Sequence, residues 1–279
     1  MPGEPWEIGQ RGEFRSRFGE DVDAYDRTRP VPPAEVFDDV VELAGLAPGS
    51  TVVEIGPGTG QATRGLAMRG LRVLALEIDA RLAARATRNL TGLPQATVRT
   101  TSFEAWERPD ERFDAVFACN SFHWIEPAVR FRKAAAVLGP HGHLVVVSTP
   151  VVVPTGADRF WWDVQDDWAA VGAGRVDPAT KHPDLVEDWV TAVNDSQLFG
   201  ECRVSRRPFT VELSAEDYAA NLSTQSGVKQ LPARARAQLV SRVLRRVEAQ
   251  GGTLIVHHLA VVTVATRITA AAERAADCS

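Results

Sequence analysis

Two rhythms of apolar residues alternate along the first half of the chain. In "PAEVFDDVVELAGL" the side chains of Val36, Phe37, Val40, Val41 and Leu43 recur at helical spacing. The punctuation "PGS" follows, and "TVVEIG" then runs as a short β-branched block, as a strand buried on both faces does. "GQATRGLAMRG" returns to the helical period and stops at Gly70. The pattern then repeats. "RVLALE" reads as a second strand, "ARLAARATRNL" as a helix, "ATVRTTSF" and "FDAVFACN" as the third and fourth strands, "HWIEPAVRFRKAAAVL" as a helix and "GHLVVVST" as the fifth strand. Strands alternating with helices predict parallel βαβ units, and right-handed crossovers leave few topologies.

Beyond Pro154 the rhythm breaks. Residues 155–200 are rich in Trp and Asp and read as helices inserted after the fifth strand. "RVSRRPFTVEL" alternates as a strand, "SAEDYAANLST" is a helix capped by its serine, and "PARARAQLVSRVLRRVEAQGG" is a longer helix stopped by glycines. "TLIVHHLAVVTVATRI" is a last strand, expected to pair antiparallel with the preceding one at one edge of the sheet. The expected fold is α/β: a Rossmann-like, doubly wound, mainly parallel sheet of seven strands, the last antiparallel, with a helical insertion after the fifth. The expected organisation is a polar segment over 1–32, a core over 33–154, the insertion over 155–200, strands and helices completing the sheet over 201–268, and a tail over 269–279 that reads as a frayed helix. The first segment contains a short helix around Phe14–Tyr25, closed by the prolines of "RTRPVPP".

Composition narrows the function. The 279 residues are 44% hydrophobic and 24% charged, ordinary for a globular protein, and the net charge of −5 argues against nucleic acid as a partner. Cys119, Cys202 and Cys278 form no CxxC and no close group with histidine, so neither a disulfide framework nor a metal site is signalled. "MPGEPWEIGQRGEF" lacks the apolar core of a signal peptide, and no apolar run reaches the roughly 18 residues of a membrane span. The expected location is cytoplasmic.

The chemistry concentrates in "TVVEIGPGTGQATRGLA". Glycines between a strand and a helix let backbone N–H groups approach a ligand. Here Gly56, Gly58 and Gly60 are spaced GxGxG, and Gln61 stands where a dinucleotide fingerprint would need its third glycine. The phosphate loop GxxxxGK[ST] is also missing. Glu77 ends the second strand 19 residues after Gly58, where a carboxylate accepts hydrogen bonds from ribose hydroxyls. Glu54 ends the first strand beside the loop and suits an ammonium group, since it would repel phosphate. A ribose, a base and an amino-acid moiety without phosphate describe S-adenosylmethionine. Asp79 is a rival for the ribose, or else caps the helix that follows it.

The ordered set "VVEIGPGTG", "VLALEIDARLAARA", "TTSFEAW", "FDAVFACNSFHWIEPAVRFRKAAAVLGPHGHLVVV" and, more weakly, "LSTQSGVKQLP" resembles the class I S-adenosylmethionine-dependent methyltransferases. Within these it is most similar to bacterial small-molecule enzymes of the trans-aconitate methyltransferase type. "AVLGPHG" departs mildly from the family's turn before the fifth strand. The resemblance implies that Gly56, Gly58 and Gly60 pass close to the cofactor's amino-acid moiety and ribose, that Glu54 orders the loop or reaches the ammonium, and that Glu77, followed by Ile78, binds the ribose. It further implies that Ser102 and Phe103 flank the adenine and that Cys119 and Asn120 line the methionine side. Tyr25 and Arg29 would belong to an N-terminal lid, an aromatic covering the cofactor and a cation meeting its carboxylate. No metal is called for.

Three residues are candidates for the transfer step. His123 follows the fourth strand, where α/β sheets place ligands, and histidine titrates in the range a general base needs. Tyr25 and His182 are the others. The alternative for "HW" is packing at a helix start, and for Phe103 plain core. Trp161, Trp162, Trp168 and Trp189 either wall a pocket for a flat acceptor or form a satellite core. Arg206 and Arg207, if turned inward, would favour a carboxylate acceptor. His257 and His258 are adjacent on a strand and point to opposite faces, which speaks against a shared metal. The expected substrate is a small organic molecule, first a planar secondary metabolite and second a small carboxylic acid. A non-catalytic S-adenosylmethionine-binding protein is the remaining alternative; an NAD-dependent oxidoreductase is disfavoured by Gln61.

Overall fold

The computed structural model describes residues 18–107 and 110–268. Its strands are β1 (Thr51–Ile55), β2 (Arg72–Glu77), β3 (Ala96–Thr100), β4 (Phe113–Cys119), β5 (Leu138–Ser148), β6 (Phe199–Ser214) and β7 (Thr253–Arg267). They form one seven-stranded sheet in the order β3-β2-β1-β4-β5-β7-β6. β1 to β5 pair in parallel, and β7 runs antiparallel to both β5 and β6. The expected doubly wound sheet with an antiparallel last strand is what forms. The two late strands pair antiparallel at one edge as expected, with β7 between β5 and β6 and β6 outermost.

The helices are α1 (Val22–Thr28), α2 (Ala34–Leu43), α3 (Gln61–Ala67), α4 (Ala80–Asn89), α5 (Pro127–Val137), α6 (Phe160–Asp163), α7 (Gln165–Ala170), α8 (Val190–Asp195), α9 (Ala215–Thr224), α10 (Ser226–Lys229) and α11 (Ala233–Ala249). Alternate residues of each central strand feed opposite cores, as the pleat requires. Val52, Ala115, Phe117 and Val145 face Val36, Phe37 and Val40 of α2 and Leu66 of α3. Val53, Ile55, Val116 and Val146 face Phe131 and Val137 of α5, together with Phe122 and Trp189. Gly65 lets the first of these layers close, since a Cβ there would lie 2.7 Å from the Phe37 ring. A third core joins Phe160, Trp161, Tyr218 and Leu222 to Leu239, Val243 and Val247 of α11 and Val256 of β7. No helix among the described residues is long and apolar enough to cross a membrane.

Several expected boundaries move. The N-terminal helix begins as a 3₁₀ turn at Phe18–Asp21 and runs on to Thr28, capped by Asp21; Phe14 to Arg17 lie outside the described residues, as does the tail. It stops where Arg29, ahead of Pro30, turns extended. The helix expected from His123 starts only at Pro127, a favoured first helical residue, and His123 sits in a 3₁₀ turn, Phe122–Trp124. β5 starts at Leu138, opposite Phe113, and a bulge restores register at Ala115 opposite His143. β6 already begins at Phe199, inside the segment expected to be helical. Ser214 caps α9 as expected, accepting from the Asp217 amide at 3.0 Å.

Candidate functional site

The carboxyl ends of β1, β2 and β4 meet at the glycine loop. Gly56, Gly58 and Gly60 all take left-handed backbone, with φ of 64°, 61° and 92°. The loop is crowded from two sides. A Cβ on Gly56 would stand 2.9 Å from the Ser121 Cβ, and one on Gly58 would stand 3.0 Å from the Tyr25 hydroxyl. Bare backbone is therefore required by conformation and by space together.

Two buried carboxylates flank the loop. Glu77, 4% exposed, accepts from the Gly58 amide through Oε2 and from the Asp79 amide through Oε1, each at 2.9 Å. Burial pushes its carboxyl up to about 7, against the pull of these amides. Glu54 is 1% exposed, and burial pushes it up to about 8. Its Oε2 has no hydrogen-bond partner. Asp79 is spent on structure. It caps α4 through the Arg81 amide, accepts from the Gly19 amide and pairs with the Arg81 side chain.

Sign and range of a pH effect follow. Both carboxyls lie above the ordinary 4.5 in the folded state, so their contribution to stability is complete below about pH 4.5 and is lost as pH rises through about 7 and 8. The melting temperature of the ligand-free protein is expected to fall between pH 5 and pH 8.5. Glu54→Gln should flatten that fall and raise the melting temperature at pH 8.5, by about 2–4 °C per kcal/mol relieved. A calorimetric pH series on the two proteins checks it; parallel curves would remove Glu54 as the source.

Tyr25 projects from α1 over the loop. Burial raises its phenol, Arg29 lowers it, and Glu77 and Cys119 raise it further, so the ring lies within electrostatic reach of the ends of both β2 and β4. The Arg29 guanidinium carbon is 4.7 Å from the Tyr25 ring centroid. Its Nη2 donates to the Thr224 carbonyl at 3.1 Å, while its buried Nε has no partner. α1 is fastened on two sides: Arg85 of α4 pairs with Asp23 and Asp26, and Asn221 of α9 donates to the Thr28 carbonyl at 2.8 Å.

At the end of β4, Cys119 is half-buried, and burial pushes its thiol up to about 12, away from the thiolate form. Asn120 has φ of 54°, unusual for a residue with a Cβ. A reciprocal pair with Thr149 holds it: its Nδ2 donates to the Thr149 hydroxyl at 2.7 Å and its Oδ1 accepts from the Thr149 amide at 2.8 Å. Ser121 then donates to the Ile55 carbonyl, beside Gly56. Neither Thr149 nor Ser121 was a candidate from sequence; the pattern GxGxG signals that something presses on the loop, without saying what.

The remaining candidates are placed as follows. Ile78 is half-buried beside Glu77, and its amide also helps hold that carboxylate ionised. Ser102 opens a turn, its hydroxyl accepting from the Ala105 amide at 3.0 Å. Phe103 is 1% exposed and packs on Trp106, so its ring belongs to the core. His123 is half-buried and its ring lies 5.0 Å from that of Trp124. His182 is not brought to the loop: its nitrogens meet Thr155 and Asp184, both within the inserted segment. The four tryptophans separate. Trp161 lies in the third core, Trp168 packs on it, Trp162 is exposed, and Trp189 leaves the insertion to pack on Phe122. Arg207 is held by Asp39, and Arg206 donates to the carbonyls of Pro183 and Val186.

Bare loop backbone, a buried carboxyl at each of two strand ends and one carboxyl oxygen left over suit a ligand with hydroxyls and a positive charge. Residues 53–146 match the methyltransferase domain family. An uncharacterized methyltransferase of Mycobacterium tuberculosis is 33% identical over 142 residues, 49% of this chain and 54% of that protein. The demethylmenaquinone methyltransferase of Tropheryma whipplei is 31% identical over 139 residues, 48% of this chain and 58% of that one. The chain thus spans little more than half the length of these relatives. In fold it is similar to a Haemonchus contortus phosphoethanolamine N-methyltransferase bound to S-adenosylhomocysteine, with a TM-score of 0.54 at 14% identity over 94% of this chain and 61% of that one.

Proposed function

We propose that this chain, which carries a class I methyltransferase domain over residues 53–146, is an S-adenosylmethionine-dependent methyltransferase acting on a small organic molecule. The carrying observation is the pair of buried carboxylates at the glycine loop, with Oε2 of Glu54 unpartnered. When bound, S-adenosylmethionine supplies a methyl group on a positively charged sulfur. Glu77 would hold the ribose hydroxyls through lone pairs its two amide contacts leave over. Glu54 would face the ammonium group, and Arg29 the carboxylate. Ile78, Ser102 and the backbone of Phe103 would border the base, and Cys119 and Asn120 the methionine side. His123 would take a proton from the acceptor or orient it, and Tyr25 would close over the site; His182 has the weakest claim to a catalytic part.

A planar acceptor is the favoured class. Arg206 and Arg207 are committed to protein partners, which removes the cationic pair a polycarboxylate would use. The Tropheryma whipplei relative is named for a quinone acceptor. Calorimetric titration with S-adenosylmethionine, S-adenosylhomocysteine and NAD tests the cofactor: binding of the first two and not the third is expected, and the reverse would end this reading. A screen of acceptors with labelled S-adenosylmethionine then tests the substrate class.

We further propose that residues 1–32 are a lid over this site. Hydrogen exchange across Val22–Arg29 is expected to slow when S-adenosylhomocysteine is added. Equal protection with and without it would make α1 a fixed part of the wall.

A further inference from the structure

The rim of the site is continued by a hydrogen-bonded relay that starts on β7. His258, on β7, is 4% exposed, and its ring stacks on Phe209 of the edge strand at 5.0 Å between centroids. Its Nδ1 lies 3.1 Å from the Thr149 carbonyl. A carbonyl only accepts, so Nδ1 carries the proton and donates. Thr149 is the residue just past β5, and its amide and hydroxyl are the two groups that clamp Asn120. That clamp, together with the Asn120 amide bonded to the Val147 carbonyl at 2.9 Å, offsets the energy a side chain costs in the left-handed backbone there. The turn at Asn120 in its turn places Ser121 on the Ile55 carbonyl and against Gly56. The Gly56 amide bonds the Leu76 carbonyl of β2 at 2.9 Å, next to Glu77, which holds Gly58.

The geometry points to His258 as a positioning residue for the glycine loop, acting through Thr149, Asn120 and Ser121 across the carboxyl edge of the sheet. This rests on the proposed cofactor site. His258 does not touch that site; its part is to fix Thr149, so that Asn120 and Ser121 hold the loop in one shape before a ligand arrives. Prepaid ordering of this kind raises affinity without adding a contact.

His258→Phe keeps a flat ring against Phe209 and removes the donor. It is expected to weaken S-adenosylhomocysteine binding about three- to tenfold, the range a single net hydrogen bond covers. It is also expected to displace the amide resonances of Gly56 and Gly58 in glycine-labelled protein, which loss of global stability alone would not do below the melting transition. His258→Asn places an amide N–H near the position of Nδ1 and should restore both. Unmoved glycine resonances and affinity within twofold of wild type would overturn the relay. So would an Asn variant as impaired as the Phe variant, because restoring the donor would then make no difference. If His258→Phe does not fold, the wild-type imidazole Nδ1–H resonance decides: a shift on adding S-adenosylhomocysteine supports the relay and an unmoved signal overturns it. Failure of the wild-type protein to bind S-adenosylhomocysteine would instead sink the cofactor reading, while the glycine resonances of the two variants still test the relay.

Discussion

Glu77→Ala is expected to weaken S-adenosylmethionine binding at least tenfold while the sheet stays folded. The side chain does two things at once. It accepts from the Gly58 and Asp79 amides, so its removal frees the loop, and it would accept from the ribose hydroxyls. Hydrogen bonds to a charged group are worth about 1.5–3 kcal/mol each, so losing even one ligand contact passes tenfold. Ionisation supplies a second signature. The carboxyl is raised to about 7 by burial, and hydroxyl donors favour its ionised form. Binding near pH 6.5 should therefore release protons, seen as a dependence of the binding enthalpy on the buffer's own heat of ionisation. Glu77→Gln should reduce that dependence, leaving the share that Glu54 releases on meeting the ammonium group. Unchanged affinity in a folded Glu77→Ala protein would take the ribose assignment away from this residue.

His123 carries the other large effect. In a turnover assay with an accepted substrate, His123→Ala is expected to lower kcat by at least about 100-fold, the lower bound for loss of a general base, with cofactor affinity nearly intact. His123→Asn separates two roles. It keeps a polar group and cannot take up the proton, so near wild-type kcat in that variant would mean that His123 orients the acceptor. Full activity in both would leave the residue as packing against Trp124, and Tyr25 would be tested next.

The central sheet was legible because a strand buried on both faces cannot hide: "TVVEI" and "LVVVS" are apolar at every buried position except Glu54. Boundaries were less so. Gly139, Pro140 and Gly142 look like a turn, yet the bulge opposite Phe113 draws them into β5. Trp189 and Trp161 share one aromatic-rich segment and end in different cores, which composition cannot divide. At the site, sequence spacing located Glu54 and Glu77, but only burial shows that one has both oxygens engaged and the other has an oxygen to spare. Thr149 and His258 could not be read at all. Their partners lie 29 and 109 residues away, and no short pattern links them.

The place of β7 inside the sheet has a consequence for how the protein is made. β6 spans 16 residues and bonds to no strand but β7, and the long helix α11 separates the two in the chain. On the ribosome β6 therefore emerges with no neighbour, and the edge of β5 stays open, until residues 253–267 arrive. For that interval the nascent chain exposes a long unpaired ladder, the form most open to joining another molecule. Arg203, Arg206, Arg207 and Pro208 on β6 are residue types that resist such joining, and Pro208 offers no amide to a foreign strand. A product truncated before Thr253 would keep both edges open permanently, so β7 is the strand that closes this part of the nascent sheet against aggregation.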